Sequence, residues 1–165
     1  MRLYELKYKG YSRTAPNIAV KVKKVSLFSH FIKGEKRSLK TFVVRSLFHL
    51  SSKGNFSIYY VTAEDGKPIH TSYVTGPAPK FPFMDKGDIH IGPCYTDPDH
   101  RGKGIYRKVL RAIHADHCHG HRGAYMIVHE ENLPSIKGIE AAGLTHVGTV
   151  ERQGVRKIYR RLSNG

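Results

Sequence analysis

A mixed α/β fold, one sheet flanked by helices, is what this sequence predicts, and three observations predict it. Residues 56–96 contain runs rich in β-branched and aromatic side chains, separated by turn dipeptides. Residues 19–50 and 104–117 instead space their apolar side chains three and four apart. From residue 88 onward the order is strand, helix, strand, helix and two strands, which lays helices on a sheet.

Taken in order, residues 2–8 alternate Leu3, Glu5 and Lys7 against Tyr4, Leu6 and Tyr8, a short first strand. Pro16-Asn17 punctuates its exit. Between 19 and 50, Val25, Phe28 and Ile32, then Leu39, Phe42, Val43, Leu47 and Leu50, predict two amphipathic helices with basic outer faces, broken near Lys33-Gly34. The same pattern would suit a membrane surface. Phe56–Thr62 reads as a strand, Asp65-Gly66 as a hairpin turn and 67–75 as the returning strand. Pro77, Pro79 and Pro82 make 77–83 a loop, and a further strand covers 88–96. Gly92-Pro93 interrupts that strand. Proline cannot donate to a ladder, and this strand has sequence neighbours on both sides, so a bulge is predicted that turns it away from the next strand. Ile105, Val109 and Ile113, with Tyr106 and Leu110 beside them, give one apolar helix face over 104–117. A buried strand follows at 124–129. Pro134 suits the first turn of a helix and Gly143 its C-terminal cap. Strands 146–150 and 155–161 meet at Gln153-Gly154.

At 165 residues the chain suits one domain, 1–165, around one core. Lys and Arg number 28 against 13 Asp and Glu, a formal charge of +15. That favours an anionic partner: nucleic acid, an anionic membrane, a phosphorylated cofactor or a nucleotide-linked substrate. Cys94 and Cys118 are too few for a disulfide framework and match no zinc spacing, which points to a reducing cytoplasm. The N-terminus lacks an apolar signal core, and no apolar run approaches the roughly 18–20 residues of a membrane helix, so no transmembrane segment is expected. Aromatic and basic residues interleave at 56–60 and 157–161, but no DNA- or RNA-binding motif accompanies them, so no nucleic acid is expected. His114, His117, Cys118, His119 and His121 cluster in sequence. Gly120 and Gly123 end the helix there, so the ligands diverge and no metal is expected.

Residues 95–106 join a strand directly to a helix, with Gly102 and Gly104 where the helix starts. Glycine allows a tight turn and close approach to the backbone. The unsatisfied N–H groups of a first helical turn, at the positive end of its dipole, form an anion site. Arg101 and Lys103 add charge, and pyrophosphate is the natural guest. The spacing is neither a nucleotide P-loop nor a dinucleotide Gly-x-Gly-x-x-Gly.

This block resembles the cofactor motif of the Gcn5-related N-acetyltransferase (GNAT) superfamily, a strand end, a proline and then Arg/Gln-x-x-Gly-x-Gly/Ala opening a helix. Pro98, Arg101 and Gly104 match, whereas Tyr106 stands where Gly or Ala is usual. A second block, 131–144, resembles the superfamily's later motif through Asn132, Ser135 and Gly143. Leu144 replaces its aromatic residue. Ile139 occupies the place of a tyrosine that protonates the departing thiolate.

The resemblance implies a central, mostly antiparallel mixed sheet whose fourth and fifth strands splay apart. It implies acetyl-CoA as cofactor, with its arm on the main chain of Cys94, Tyr95 and Thr96. Its pyrophosphate would lie on the amides of Gly102, Lys103, Gly104, Ile105 and Tyr106 beside Arg101, with Asn132 and Ser135 on the arm's far side. The implied reaction moves an acetyl group to the primary amine of a small, anionic acceptor, an amino sugar or nucleotide-linked amino sugar. Protein, peptide or other metabolite amines, and a non-catalytic CoA-binding protein, are the alternatives, and a homodimer is compatible. His90 is the first choice of base, sharing a strand face with Asp88, because its ordinary pKa lies near neutrality. Glu130 and Glu131 are alternative bases. Tyr95 and Tyr106 are candidate acids by proximity.

Overall fold

The computed structural model describes residues 1–6, 22–26, 56–117, 122–154 and 158–162. Among the described residues eight strands form one sheet: β1 (Arg2–Leu6), β2 (Lys23–Ser26), β3 (Phe56–Thr62), β4 (Pro68–Thr75), β5 (Ile89–Thr96), β6 (Ala124–Val128), β7 (Thr145–Gln153) and β8 (Ile158–Arg161). Their order across the sheet is β2-β3-β4-β5-β6-β1-β7-β8. Neighbours run antiparallel except β5 and β6, which are parallel. Among the described residues two α-helices accompany them, α1 (Ile105–His117) and α2 (Leu133–Ala141).

Most predicted elements recur within a few residues of their predicted ends. The correction falls on the first helical prediction. Lys23–Ser26 is a strand, paired with β3 from Lys23↔Tyr60 to Ser26↔Ser57. Val22 and Val25 fit a helical spacing, but β-branched residues also favour a pleated strand, and the free edge of β3 offers a ladder that periodicity cannot reveal. The rest of 19–50 lies outside the described residues.

The splay predicted between the fourth and fifth strands is present, as β5 and β6 in the full count. They pair only at Ile89↔Ala124 and His90↔Tyr125. β5 nevertheless stays on β4 as far as His70↔Thr96. Ser72 faces Cys94 and Val74 faces Ile91, so Gly92 and Pro93 together oppose Tyr73. This is the bulge expected at Gly92-Pro93, and beyond it β5 leaves β6.

Alternation along the strands gives the sheet two apolar faces. On one, Tyr4, Tyr59, Val61, Ile69, Val74, Ile89 and Ile91 pack against Ile105, Val109, Leu110 and Ile113 of α1 and Ile136 and Ile139 of α2. On the other, Leu3, Phe81, Met84, Tyr125 and Val150 form a second cluster. The proline-rich loop supplies Phe81 and Met84 to it. A hydrogen bond from Tyr159 N to Lys80 O (2.9 Å) ties the loop to β8. Among the described residues, no helix is long and apolar enough to cross a membrane.

Candidate active site

The main chain sets up the site. Asp97 N donates to Ile69 O of β4 at 2.9 Å. In an antiparallel ladder alternate residues turn their polar groups to opposite sides. Tyr95 and Asp97 therefore address β4, while Cys94 and Thr96 present theirs to the gap. Arg101 Nε takes the Thr96 carbonyl at 3.1 Å. That bond fastens the loop after β5 to the strand and leaves the Thr96 N–H and both Cys94 groups facing the opening.

The loop then folds into a cradle. Asp97 caps a 3-10 turn, Pro98–His100, by accepting from Asp99 N at 3.1 Å. Gly102 and Gly104 follow at φ +75° and +70°, in the left-handed region that favours glycine. Lys108 N makes the first helical bond, to Gly104 O at 3.2 Å. The N–H groups from Gly102 to Arg107 have no acceptor among the described residues. A Cβ added at Gly102 would meet nothing within 4 Å, and at Gly104 only an Arg107 side-chain nitrogen at 3.7 Å. The cradle is open, lined with donors and backed by the α1 dipole, and these features fit a diphosphate.

A hydrogen-bonded chain lies on the helix face of the gap. His70, buried in β4, contacts Thr96 Oγ1 at 2.7 Å and Ser72 Oγ at 2.8 Å through its two ring nitrogens. Burial pushes its pKa down to about 4, so the ring is neutral. The Cys94 thiol lies near Ser72 and Tyr106, and burial raises its pKa to about 11. Tyr106 reaches on to Ser135 Oγ, 3.5 Å away on α2. Burial raises the Tyr106 phenol well above its ordinary range, so it is a weak proton donor. Asn132 is the N-cap of α2, its Oδ1 accepting from Ser135 N at 3.2 Å. The family resemblance implies Asn132 and Ser135 on the arm's far side. It points to neither His70 nor Ser72, which the alternation of β4 puts on one face with Val74.

His90 lies at the apex of the gap on the opposite face. Its ring stacks on Phe81 with centroids 4.2 Å apart and an interplanar angle of 26°. Its Cε1 lies 3.3 Å from an ideal Cβ at Gly92, so glycine there leaves the ring room. Burial and then nearby Lys80 push its pKa down to about 3, and Nδ1 has no partner among the described residues. The imidazole is therefore a neutral acceptor and a weak base. Tyr95, near the far end of the same strand, is 57 % exposed. Asp88 is not brought to the site. Its carboxylate accepts from Gly123 N and Asp85 N, both at 2.8 Å, and fixes the loop. Glu130, at the end of β6, pairs with the Met1 amino group at 3.4 Å, and exposed Glu131 with His129 at 3.8 Å. Among the described residues no cluster of His, Cys, Asp and Glu could hold a metal. Cys118, His119 and His121 lie outside them.

Comparison with known proteins bears on this gap and cradle. The profile of the acetyltransferase (GNAT) family matches residues 29–143, more than half the chain. The chain belongs to that family. No curated protein matches it significantly. Among solved structures it resembles an aminoglycoside N-acetyltransferase, AAC(6')-Iy, in complex with CoA (TM-score 0.59, 12 % identity, 81 % of this chain and 98 % of that one). It also resembles glucosamine-6-phosphate N-acetyltransferase from Arabidopsis thaliana (TM-score 0.55, 18 % identity, 84 % and 99 %). A third similar structure, a GNAT acetyltransferase from Colwellia psychrerythraea, is longer; 88 % of this chain covers about half (52 %) of it (TM-score 0.54, 13 % identity). These likenesses extend to the fold. As a GNAT family member the chain is an acetyl-CoA-dependent N-acetyltransferase. Acetyl-CoA supplies an activated acyl thioester, and this chain's part is to hold it and bring an amine to it.

Proposed function

We propose that this GNAT acetyltransferase acetylates the primary amine of a small anionic acceptor, an amino sugar or nucleotide-linked amino sugar, with residues 1–165 acting as one domain. The observation that carries the reading is the conjunction of the β5–β6 gap with the unsatisfied amides from Gly102 to Arg107. In this reading Gly102, Lys103, Gly104, Ile105 and Tyr106 hold the pyrophosphate through their N–H groups, with Arg101 beside them. The free main-chain groups of Cys94 and Thr96 receive the arm, and Asn132 and Ser135 flank it. The Thr96 N–H polarises the acyl carbonyl.

The acceptor enters from the other face, between His90 and exposed Tyr95. His90 is the residue proposed to accept an N–H of the amine, as a neutral imidazole. Lys80, whose ammonium lies 4.7 Å from the Phe81 ring centroid, meets the acceptor's anionic group. Lys80 has no carboxylate partner among the described residues. The aminoglycoside and glucosamine-6-phosphate enzymes of similar fold support an amino sugar as the first class to test. The single-domain reading is supported by β1, which seats the start of the chain between strands from its second half. The free Cys94 thiol fits a cytoplasmic location.

Thiol release from acetyl-CoA, measured across glucosamine 6-phosphate, nucleotide-linked amino sugars, aminoglycosides, amino acids and peptides, tests the acceptor class. A phosphorylated or nucleotide-linked amino sugar should give the highest kcat/KM, and a preference for cationic aminoglycosides would reject it. His90→Gln should lower kcat/KM for the amine and leave acetyl-CoA binding intact. If Glu130→Gln carries that loss and His90→Gln is silent, the role passes to Glu130.

A further inference from the structure

Tyr106 closes the inner end of the gap on its helix face. An ideal Cβ on Gly138 of α2 would fall 2.7 Å from its Cδ1 and 3.1 Å from its Cε1. The ring therefore lies against bare α2 backbone, where a glycine leaves room for it. The hydroxyl lies 3.5 Å from Ser135 Oγ and 4.0 Å from Met126 Sδ, and the side chain packs with Cys94 against the same core. One side chain thus touches β6 and α2 and packs beside Cys94 of β5, the three elements that bound the opening. Behind it stands the buried His70 ring, 5.9 Å away between centroids and itself held by Thr96 and Ser72.

We infer that Tyr106 limits the acyl donor to acetyl, with Gly138 as the residue that lets the ring occupy the gap. The inference rests on the proposed placement of the donor along the free edge of β5. A carbonyl polarised by a β5 amide has two ways to direct its alkyl substituent. One is the acceptor face, which the amine needs. The other is the gap, which the ring fills. The ring cannot retreat, since the Gly138 backbone lies against it and the His70 ring stands 5.9 Å behind it. What it shows to an incoming chain is also polar: a phenol hydroxyl, the Cys94 thiol and the Ser135 hydroxyl. A methyl group stops short of that floor. Each further methylene has to displace the ring or strip water from polar groups without replacing their hydrogen bonds.

Titration calorimetry of the full chain with acetyl-, propionyl-, butyryl- and hexanoyl-CoA tests this without knowledge of the acceptor. Wild type should lose affinity by about tenfold for each added methylene, at the low end of what a shaped pocket achieves. Tyr106→Phe keeps the ring and should keep the ladder. Tyr106→Ala should flatten it, binding hexanoyl-CoA as well as acetyl-CoA. Tyr106→Ala with Gly138→Leu refills the space from α2 and should restore the ladder, and it also restores packing. A flat wild-type ladder, which needs no variant to fold, would overturn the inference and leave the acetyl-CoA site standing. A Tyr106→Ala ladder as steep as wild type would do the same. If wild type bound none of these thioesters, the site placement itself would fall and the inference with it.

Discussion

His70 and His90 both give up their charge to burial on folding, with pKa values lowered to about 4 and about 3 from an ordinary 6.5. The unfolded chain therefore binds more protons than the folded one between those limits. Stability from this source is complete above pH 6.5 and is lost as pH falls toward 4 and then 3, by at most about 1.4 kcal/mol per pH unit for each ring. Urea unfolding at pH 7, 6 and 5 should show that slope, and His70→Gln/His90→Gln should flatten it. An unchanged slope would mean that other groups set the acid sensitivity. Gly104 has the opposite kind of constraint, in its backbone. At φ +70° a β-branched residue costs about 1–3 kcal/mol of strain, so Gly104→Val should abolish acetyl-CoA binding by calorimetry while circular dichroism stays native. Gly102 and Gly104 were legible in the sequence because an anion cradle made of main chain needs glycine at its turn. The neutral state of His90 was not, because Phe81 reaches it from a loop whose path three prolines do not specify.

The capping of α2 was half legible. Pro134 and Gly143 marked its ends, and Asn132 was read as a contact for the cofactor arm. In the fold it is also the cap, so Asn132→Ala should cost about 0.5–2 kcal/mol in chemical denaturation and Asn132→Asp much less. Gly138 reverses a familiar sign. A mid-helix Gly→Ala change normally stabilises by about 0.5–1 kcal/mol. Here the new methyl would meet the Tyr106 ring, and overpacking of this kind costs about 1–3 kcal/mol, so Gly138→Ala should lower stability. The same change in a Tyr106→Ala background should raise it, a pair of measurements that isolates the ring–backbone contact. Bounds were most legible where two signals agreed. Phe56–Thr62 combines β-branched residues with the turn at Asp65-Gly66, whose glycine has φ +84°. They were least legible at Lys23–Ser26, where the deciding factor was a partner strand more than thirty residues away.

At the scale of the molecule, in the proposed function the +15 charge and the cradle act on the same ligand. A ligand present at a hundred times its dissociation constant stabilises the folded state by about 2.7 kcal/mol. Acetyl-CoA at that ratio should therefore raise the melting temperature in differential scanning fluorimetry. The shift should shrink with added salt, because charges around an exposed diphosphate are screened. A shift insensitive to salt would argue that the adenine or the arm, and not the phosphates, dominates binding. The splay was legible at this scale because a proline inside a central strand has few places to go. The position of β1 was not. Nothing in residues 2–8 tells which two of seven other strands they will separate.

That position governs how the protein comes into being. Arg2 lies opposite Val128 on one side and Thr149 on the other, so β1 leaves the ribosome well before either of its neighbours. Until β6 and β7 emerge, β1 waits with both edges unsatisfied, and an unpaired strand edge invites association with other chains. Deleting β1 would split the sheet through its interior, and a nascent chain stalled before residue 124 should be a client for chaperones.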